Sequence, residues 1–171
     1  MEFRDLISAR YSCRAYRADP VPDDDLACVL EAARLAPPAD NRQPFGLVVM
    51  STAGRKAELS RIYGPGWFVQ APLVIAVCGE HDRSWKRKSD GWSSVAVDAA
   101  IVTDHLVLAA ADRGLGTCWV CAFDPAAARE VLGLPEGIEP IAFTPLGWPA
   151  DAIGTRSRRD LAELVHRERW S

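Results

Sequence analysis

The sequence predicts an α+β fold in which helices pack on a mixed sheet, and three observations support this. Helical and strand-like apolar patterns alternate along the 171 residues without an internal repeat. The continuous apolar run at residues 73–78 is typical of a strand buried on both faces. Residues 114–116 read Gly-Leu-Gly, but they lack a third glycine and follow a helix, whereas a dinucleotide fingerprint follows a strand. A doubly wound sheet is therefore not predicted.

Hydrophobic periodicity and prolines place the elements of the N-terminal half. Residues 2–9 carry Phe3, Leu6 and Ile7 on one helical stripe. The next helix starts at residues 20–23 and runs to about residue 35, and the following Pro37 stops it because a residue before proline disfavours the helical conformation. The patterns that follow predict a strand, a helix and a strand, in that order, at residues 45–51, 53–62 and 73–78.

The C-terminal half begins with a long helix at residues 93–113. It is apolar nearly all round between Val95 and Ala111, so we expect burial on more than one side, including burial by another subunit. Gly114 is predicted to end it. The elements predicted after that are a strand at 115–122, a helix at 125–132 stopped by Gly133, a strand at 139–146, and an extended arm from about 149 with one helical turn near Leu161.

Length and composition predict one domain spanning residues 1–171, because 49% hydrophobic residues are ample for one core. Lysine and arginine number 20 against 23 acidic residues, a net charge of -3 that argues against a broad nucleic-acid surface. The charged N-terminus does not resemble a secretory signal, and the most apolar stretch is too polar for a membrane span. We expect a soluble, cytoplasmic protein with neither membrane nor nucleic acid as a partner.

The five cysteines are expected to be reduced and mostly buried. Cys118 and Cys121 form a C-x-x-C pair, but they face opposite sides of the predicted strand, which argues against a disulfide. Dithiol chemistry stays open as the less favoured alternative. No zinc site is predicted because a second C-x-x-C is absent. His105 lies seven residues after Asp98, two helical turns on, and we expect the two to form a pair at an interface.

Four segments carry the polar chemistry. The first is Arg10-Tyr11-Ser12-Cys13-Arg14, whose two guanidinium forks and hydroxyl suit a dianion, although the motif alone is more typical of a solvated turn. The others follow predicted helices or lie near the end of the chain, and they are residues 36–45 (Ala-Pro-Pro-Ala-Asp-Asn-Arg-Gln-Pro-Phe), residues 114–119 (Gly-Leu-Gly-Thr-Cys-Trp) and residues 156–158 (Arg-Ser-Arg).

Together these segments resemble those of the nitroreductase family of flavin-dependent oxidoreductases, and the resemblance covers residues 3–170. It implies a nitroreductase-like mixed β-sheet flanked by helices, in an intertwined homodimer that holds FMN between its subunits. It also implies which residues bind the cofactor, namely Arg10, Tyr11, Ser12, Arg14, Pro37, Pro38, Asn41, Gln43, Trp119, Val120, Cys121, Arg156 and Arg158.

The family pattern assigns different roles to these residues. Arg10 and Ser12 match its phosphate-binding motif. Arg156 and Arg158 match the basic pair that closes on the phosphate. Arg14 matches the basic residue near the pyrimidine side of the flavin, where a guanidinium would stabilise the reduced, anionic ring.

The remaining matches concern the ring and the second subunit. Asn41 and Gln43 match side chains supplied by the opposite subunit, and the backbone at residues 119–121 matches the segment that passes the flavin N5 edge. The chain departs from the pattern after Pro37, where the family often has small hydroxyl residues and this sequence has Pro38 and Ala39. Contacts of this segment with the ring are therefore expected to be apolar or to come from the backbone.

The resemblance implies an FMN-dependent enzyme that uses NAD(P)H to reduce a small aromatic or conjugated acceptor, such as a nitroaromatic, a quinone or an enone. Because no separate dinucleotide site is visible, reductant and acceptor must share one pocket in a ping-pong mechanism. The chemistry resides in the cofactor, so no catalytic side chain and no metal are predicted. Two alternatives stay open: a flavin-binding or flavin-fragmenting protein without NAD(P)H turnover, and a dimeric binding protein that has lost the cofactor, which the intact arginines disfavour.

Substrate selection is expected in the stretch from Tyr63 to Trp92, which holds tryptophans at 67, 85 and 92, Phe68, and basic residues at 83–88. One interpretation is a lid whose rings stack on a flat substrate. The other is that Trp67 and Phe68 are ordinary core residues and the basic run is a solvated loop. The sequence alone does not favour either.

Overall fold

A computed structural model describes residues 1–154 and 156–170. The described residues form one antiparallel sheet with the strand order β1-β2-β4-β3. The strands are β1 (Phe45–Ser51), β2 (Leu73–Glu80), β3 (Gly116–Thr117) and β4 (Ile138–Gly147). The helices are α1 (Phe3–Ala9), α2 (Asp23–Arg34), α3 (Lys56–Leu59), α4 (Val95–Asp112), α5 (Pro125–Leu132) and α6 (Leu161–Leu164), with 3-10 turns at Ala39–Asn41 and Gly66–Val69. The predicted order of helices and strands is confirmed.

The strand β2 lies at the centre of the core, as its apolar run predicts. It pairs with β1 on one side and β4 on the other, and its six inner residues are buried. Ile75 and Val77 face α2 and α4, whereas Val74 and Ala76 face a second cluster that includes Phe68 and Phe143. The alternation of side chains along a strand therefore gives the sheet one apolar layer on each face.

Two glycines stop helices at the predicted positions. Gly114 has a φ of 75°, and the amides of Gly114 and Leu115 donate back to Ala111 (3.0 Å) and Ala110 (2.8 Å) at the end of α4. Gly133 has a φ of 61° at the end of α5. A left-handed residue at this point lets the last carbonyls of a helix be satisfied, and glycine adopts it without strain.

The helix predicted at residues 53–62 is wrong in extent, because only Lys56–Leu59 is α-helical. Gly54 has a φ of 72°, which is incompatible with a right-handed helix. In addition, the buried Thr52 hydroxyl donates to the carbonyl oxygen of Ala71 at 2.7 Å and fixes the start of the segment as a turn.

The strand predicted at residues 115–122 is also shorter than expected. Gly116 and Thr117 pair with β4, but the amide of Cys118 donates to the Thr144 hydroxyl at 3.2 Å. The Cys118 amide therefore binds a side chain of β4 instead of a backbone carbonyl. Backbone pairing with β4 resumes only at the isolated bridge between Val120 and Phe143.

The expected pair between Asp98 and His105 is wrong. Asp98 is buried and accepts hydrogen bonds from the Ser94 hydroxyl (2.7 Å) and the Ala39 amide (2.9 Å). The His105 ring lies 3.3 Å from the carbonyl oxygen of Ala32 on α2. Seven residues correspond to about 10 Å along a helix axis, so partners on neighbouring elements lie closer than each does to the other.

None of the helices in the described ranges combines the length and the apolar character that crossing a bilayer requires.

Gly116 provides a test of the packing at β3. A Cβ atom at this position would lie 2.7 Å from the Sγ atom of Cys13 and 2.9 Å from its Cβ. We predict that Gly116→Ala lowers the free energy of unfolding by about 1–3 kcal/mol, as overpacking of a buried site does. Urea denaturation measures this change.

The matched control is Gly46→Ala in β1, where nothing lies within 4 Å of the added Cβ. We expect its free energy of unfolding to stay within about 0.5 kcal/mol of the wild-type value. Equal destabilisation of both variants would show that steric contact with Cys13 is not the cause.

Candidate functional site

The loop after α1, residues 10–17, is held between β3 and the start of the arm. The amide of Cys13 donates to the carbonyl oxygen of Thr117 at 2.8 Å. The amide of Ala150 donates to the carbonyl oxygen of Ala15, also at 2.8 Å. Backbone hydrogen bonds thus fix this loop, which we call the N-terminal loop, from both sides.

The carboxylate of Asp151 joins the arm to the N-terminal loop. It accepts hydrogen bonds from the Arg14 amide at 2.8 Å, the Tyr11 hydroxyl at 2.8 Å and the Cys13 thiol at 3.1 Å. Partial burial alone would raise the pKa of Asp151, but these donors outweigh it and lower the pKa below the ordinary value. The sequence analysis missed this residue, since nothing in its neighbourhood along the chain marks it.

The same contacts keep two donors protonated. Burial, followed by the hydrogen bond to Asp151, raises the pKa of Tyr11 above its ordinary value. The same two causes, in that order, raise the pKa of the Cys13 thiol to about 11. Both groups are therefore neutral at pH 7 and donate to the ionised carboxylate.

A cleft of about 310 Å³, which we call the basic cleft, opens beside the N-terminal loop. It brings together six residues that the sequence analysis assigned to the cofactor, together with one glycine, and its lining is Arg10, Tyr11, Ser12, Arg14, Gly154, Arg156 and Arg158. No acidic side chain is part of this lining. The cleft therefore offers several cationic donors and a hydroxyl to an anion.

The arginines of the basic cleft are held by contacts with uncharged groups. Arg156 donates to the carbonyl oxygens of Ser8 and Arg10, and Arg158 donates to that of Ser157 at 2.8 Å. The Nε atom of Arg10 is buried and has no hydrogen-bond partner among the described residues. An unsatisfied buried donor is costly, and this one belongs to a residue that lines the cleft.

Arg14 occupies one end of the cleft. Its Nη1 atom donates to the carbonyl oxygen of Ser12 at 3.3 Å, and its guanidinium carbon lies 5.9 Å from the ring centroid of Trp67. Its backbone amide is the donor that Asp151 accepts.

The segment with Pro37, Pro38, Asn41 and Gln43 lies elsewhere on the chain, and none of these side chains lines the basic cleft of the same chain. Asn41 and Gln43 are exposed, and the Gln43 amide donates to the Asn41 side chain at 3.3 Å. Three residues without glycine's freedom adopt a positive φ here: Asp40 (53°), Asn41 (50°) and Gln43 (50°). Strain of this kind clusters at functional sites.

One residue of the segment at 119–121 lines a second cavity, which shares three residues with the basic cleft. Trp119 is 38% exposed and lines a cavity of about 130 Å³ with Arg10, Tyr11 and Ser12. Its indole N–H donates to the Cys121 sulfur at 3.1 Å. The side chain of Val120 is buried.

None of the cysteines forms a disulfide within the described residues. All five are free, and Cys118 is buried whereas Cys121 is exposed. Within the described residues no cluster of side chains could hold a metal ion.

The stretch from Tyr63 to Trp92 contributes core residues and an exposed basic run, and its part in substrate selection stays a prediction. Phe68 is fully buried, and Trp67 packs edge-on against Tyr63 (5.5 Å) and Phe68 (6.5 Å). The basic run lies on an exposed hairpin in which Arg87 stacks on Trp92 and forms an ion pair with Asp90.

Comparison with known proteins places this geometry in a family. The family model described as "Nitroreductase family" matches residues 7–64 and 63–148. A relative from Archaeoglobus fulgidus, whose name combines NADH dehydrogenase and NAD(P)H nitroreductase, is 31% identical over 96% of this chain and 97% of its own. A crystal structure of a nitroreductase family protein from Clostridium difficile 630 has a TM-score of 0.92 and 37% identity, over 99% of this chain and all of the other.

Two further relatives differ in their names. One from Bacillus subtilis, 29% identical over 93% of this chain and 70% of its own, is an FMN reductase [NAD(P)H]. One from Rhodospirillum rubrum, 27% identical over 92% of each chain, is a 5,6-dimethylbenzimidazole synthase.

The chain belongs to the nitroreductase family, as its motifs predict, and the predicted fold is confirmed. The names of its relatives agree with the predicted enzyme class, a flavin-dependent oxidoreductase.

The Asp151 network gives a prediction with a defined pH dependence. Because the pKa of Asp151 is lowered in the folded protein, its stabilising contribution is present above the unfolded pKa and is lost as the pH falls through the folded value. We predict that Asp151→Asn lowers the free energy of unfolding at pH 7 by about 1 kcal/mol, the value of a partly exposed charge-assisted bond. The difference from wild type should close in acid.

Urea denaturation at a series of pH values from 7 down to 2.5 measures this difference. The control is Asp160→Asn on the same arm, since the Asp160 side chain makes no capping hydrogen bond at α6. A constant difference between Asp151→Asn and wild type at every pH would contradict a role for the ionised carboxylate.

Proposed function

We propose that this chain is an FMN-dependent oxidoreductase that takes electrons from NAD(P)H and reduces a small aromatic or conjugated acceptor. The observation that carries the proposal is the basic cleft, in which arginines from both ends of the chain converge with no lining carboxylate. Residues 1–171 would form one FMN-binding domain with its arm beginning at about 149. A cytoplasmic location stays a prediction.

The residues of the cleft fit the phosphate of FMN. That phosphate carries close to two negative charges and accepts several hydrogen bonds. The guanidinium groups of Arg10 and Arg158 and the Ser12 hydroxyl would supply donors. Arg156 would add the N–H groups that its two carbonyl contacts leave unused.

The residues around the cleft would orient the ring. Arg14 would face its pyrimidine edge, and the backbone next to Trp119 would border its N5 edge. When bound, FMN supplies the hydride chemistry, so the protein contributes binding, orientation and charge. The sequence has no dinucleotide-binding fingerprint, which supports a ping-pong mechanism in which nicotinamide and acceptor use the same space in turn.

We further propose that the working form is a homodimer. The exposed side of α4 borders an apolar hollow of about 500 Å³ lined by Ala96, Val97, Ala100, Ile101, Asp104, His105 and Trp119. On the arm, Leu161 and Trp170 are 74% and 88% exposed. Exposed apolar surface of this kind marks an interface. The exposed amides of Asn41 and Gln43, which lie away from their own cleft, would complete the site of the partner.

The alternative is a flavin-fragmenting enzyme on the same scaffold. It is supported by the relative named 5,6-dimethylbenzimidazole synthase, whose product contains a dimethylated ring like that of a flavin. In that case bound FMN would be consumed in the presence of a reductant and oxygen. An electron-transfer enzyme would leave it intact.

The decisive experiment starts with the absorbance spectrum of the purified protein. We expect a yellow protein with about one FMN per chain, bleached by NADH or NADPH without oxygen and reoxidised by a quinone or nitroaromatic. Chromatography after repeated turnover should recover FMN unchanged, and its loss would favour the alternative. A protein that stays colourless when FMN is added would refute both.

Arg158 gives the cleanest test of phosphate binding, because its only hydrogen bond in the described structure is to the neighbouring Ser157 carbonyl. We predict that Arg158→Ala loses about 1.5–3 kcal/mol of charge-assisted hydrogen bonding, which is about a 10- to 100-fold weaker FMN affinity. Titration of the apoprotein with FMN measures the dissociation constant.

The control is Arg159→Ala, next along the chain and exposed, which is not part of the cleft lining. Its FMN affinity should match the wild-type value. Equal weakening in the two variants would mean that the arm attracts FMN only through its overall charge.

Dimerisation through α4 is tested by a charge in the apolar hollow. Ala96 lies in the first turn of α4, and Ala126 lies in the first turn of α5 away from the hollow; both are exposed. Glutamate has the same favourable interaction with the helix dipole at either position. We predict that Ala96→Glu weakens the dimer at least tenfold in sedimentation equilibrium and that Ala126→Glu leaves it unchanged. A wild-type protein that is monomeric at micromolar concentration would refute the homodimer.

A further inference from the structure

Trp67 lies where two parts of the core meet. It belongs to the 3-10 turn Gly66–Val69 and is partly buried. It packs against the cluster that contains Phe68 and Phe143, and also against a small cluster that Cys13 and Tyr16 of the N-terminal loop form with Ala71. The edge-on contact with Tyr63, 5.5 Å between ring centroids, further fixes its orientation. The ring is therefore a fixed surface under the loop.

The Arg14 guanidinium lies over the face of this ring. The distance from its central carbon to the ring centroid is 5.9 Å, within the range of a cation–π contact. Its other contact is one hydrogen bond to the Ser12 carbonyl oxygen, at 3.3 Å. Among the described residues no carboxylate forms an ion pair with Arg14.

Arg87 also lies over a tryptophan ring but, unlike Arg14, it forms an ion pair with a carboxylate. Its central guanidinium carbon is 5.2 Å from the Trp92 ring centroid, and both ends of the guanidinium bind the Asp90 carboxylate, at 2.9 and 2.7 Å. The carboxylate cancels the charge of Arg87. An aromatic face orients a guanidinium without cancelling its charge, because the ring carries a quadrupole and no net charge.

We propose that Trp67 is a positioning residue that holds Arg14, un-neutralised, against the pyrimidine edge of the bound flavin and so favours the reduced form of the cofactor. The inference rests on the proposed function, since it requires FMN in the basic cleft. Negative charge appears at that edge only on reduction. An oriented guanidinium therefore stabilises reduced FMN more than oxidised FMN.

The quantity to measure is the ratio of the dissociation constants of oxidised and reduced FMN. It follows from titration with oxidised FMN together with the midpoint potentials of bound and free flavin. In Trp67→Leu we expect the ratio to fall about two- to fivefold, the size of a cation–π contact at a partly exposed site. For a two-electron couple this is a decrease of about 10–20 mV in potential. Binding of oxidised FMN should change less than twofold.

Trp67→Phe keeps a ring face of weaker quadrupole and most of the apolar contact with Tyr63 and Phe68. We expect its ratio to lie between those of the wild type and Trp67→Leu. If Trp67→Leu does not fold, Trp67→Phe carries the test, and a ratio equal to that of the wild type would then overturn the proposal.

Two controls separate positioning from packing. Trp92→Leu removes the stacked ring under Arg87 on the exposed hairpin and should leave the ratio unchanged. Arg14→Met removes the charge itself, so adding Trp67→Leu to it should lower the ratio no further. An unchanged ratio in Trp67→Leu, or an equal further fall in the double variant, would overturn the inference. A wild-type protein that binds no FMN would instead refute the proposed function.

Discussion

Mutual repulsion among the arginines of the basic cleft is the constraint on which the site depends. Eight arginines elsewhere in the described structure form ion pairs with carboxylates, as in Arg55 with Glu58 and Arg113 with Asp25, both within 2.7 Å. No ion pair among the described residues involves Arg10, Arg14, Arg156 or Arg158. The cleft keeps its charge because Arg14, Arg156 and Arg158 bind carbonyl oxygens, and Arg14 in addition lies over an aromatic face. Such a cleft favours an anion, whose charge offsets the repulsion.

Asp151, a carboxylate that contacts two residues of the cleft lining, illustrates the same constraint. Asp151 binds the backbone amide of Arg14, the Tyr11 hydroxyl and the Cys13 thiol, so its acceptors are used by the loop. It therefore fixes the position of the N-terminal loop without forming an ion pair with a guanidinium. Close packing of Cys13 against Gly116 fixes the same loop from beneath. The arginines thus supply the charge of the cleft, whereas other groups, Asp151 and Cys13, fix the position of the loop.

The helix and strand that the sequence predicted correctly are marked by residues close together in the chain. The helix at Pro125–Leu132 has a proline at its start, Asp124 capping the amides of Ala126 and Ala127 at 2.9 Å, and Gly133 after its end, so its bounds follow from a few adjacent residues. The buried strand β2 follows from an uninterrupted apolar run. Motifs of the resembling family likewise identified the arginines that line the cleft.

The features that were missed depend on contacts between distant parts of the chain. Asp151 reaches residues more than 130 positions away, with separations of 137 to 140. Trp67 meets Arg14 only because the 3-10 turn packs under the N-terminal loop. The strand after Gly114 stops early because one hydroxyl, that of Thr144, captures an amide. Neither periodicity nor spacing records such contacts, so they need the tertiary structure.

The long helix α4 connects the proposed interface to the strained loop. Its buried Asp98 accepts a hydrogen bond from the Ala39 amide, next to the three residues with positive φ, each of which costs about 1–3 kcal/mol. The exposed side of the same helix borders the apolar hollow at which we place the second subunit. Burial of that hollow would bring rigid, pre-ordered amides of Asn41 and Gln43 to the partner's cleft. In this arrangement the strained backbone conformation is already present in the free subunit. Dimerisation therefore does not have to order the loop. Because each site would contain residues of both subunits, binding of FMN and binding of the partner would strengthen each other.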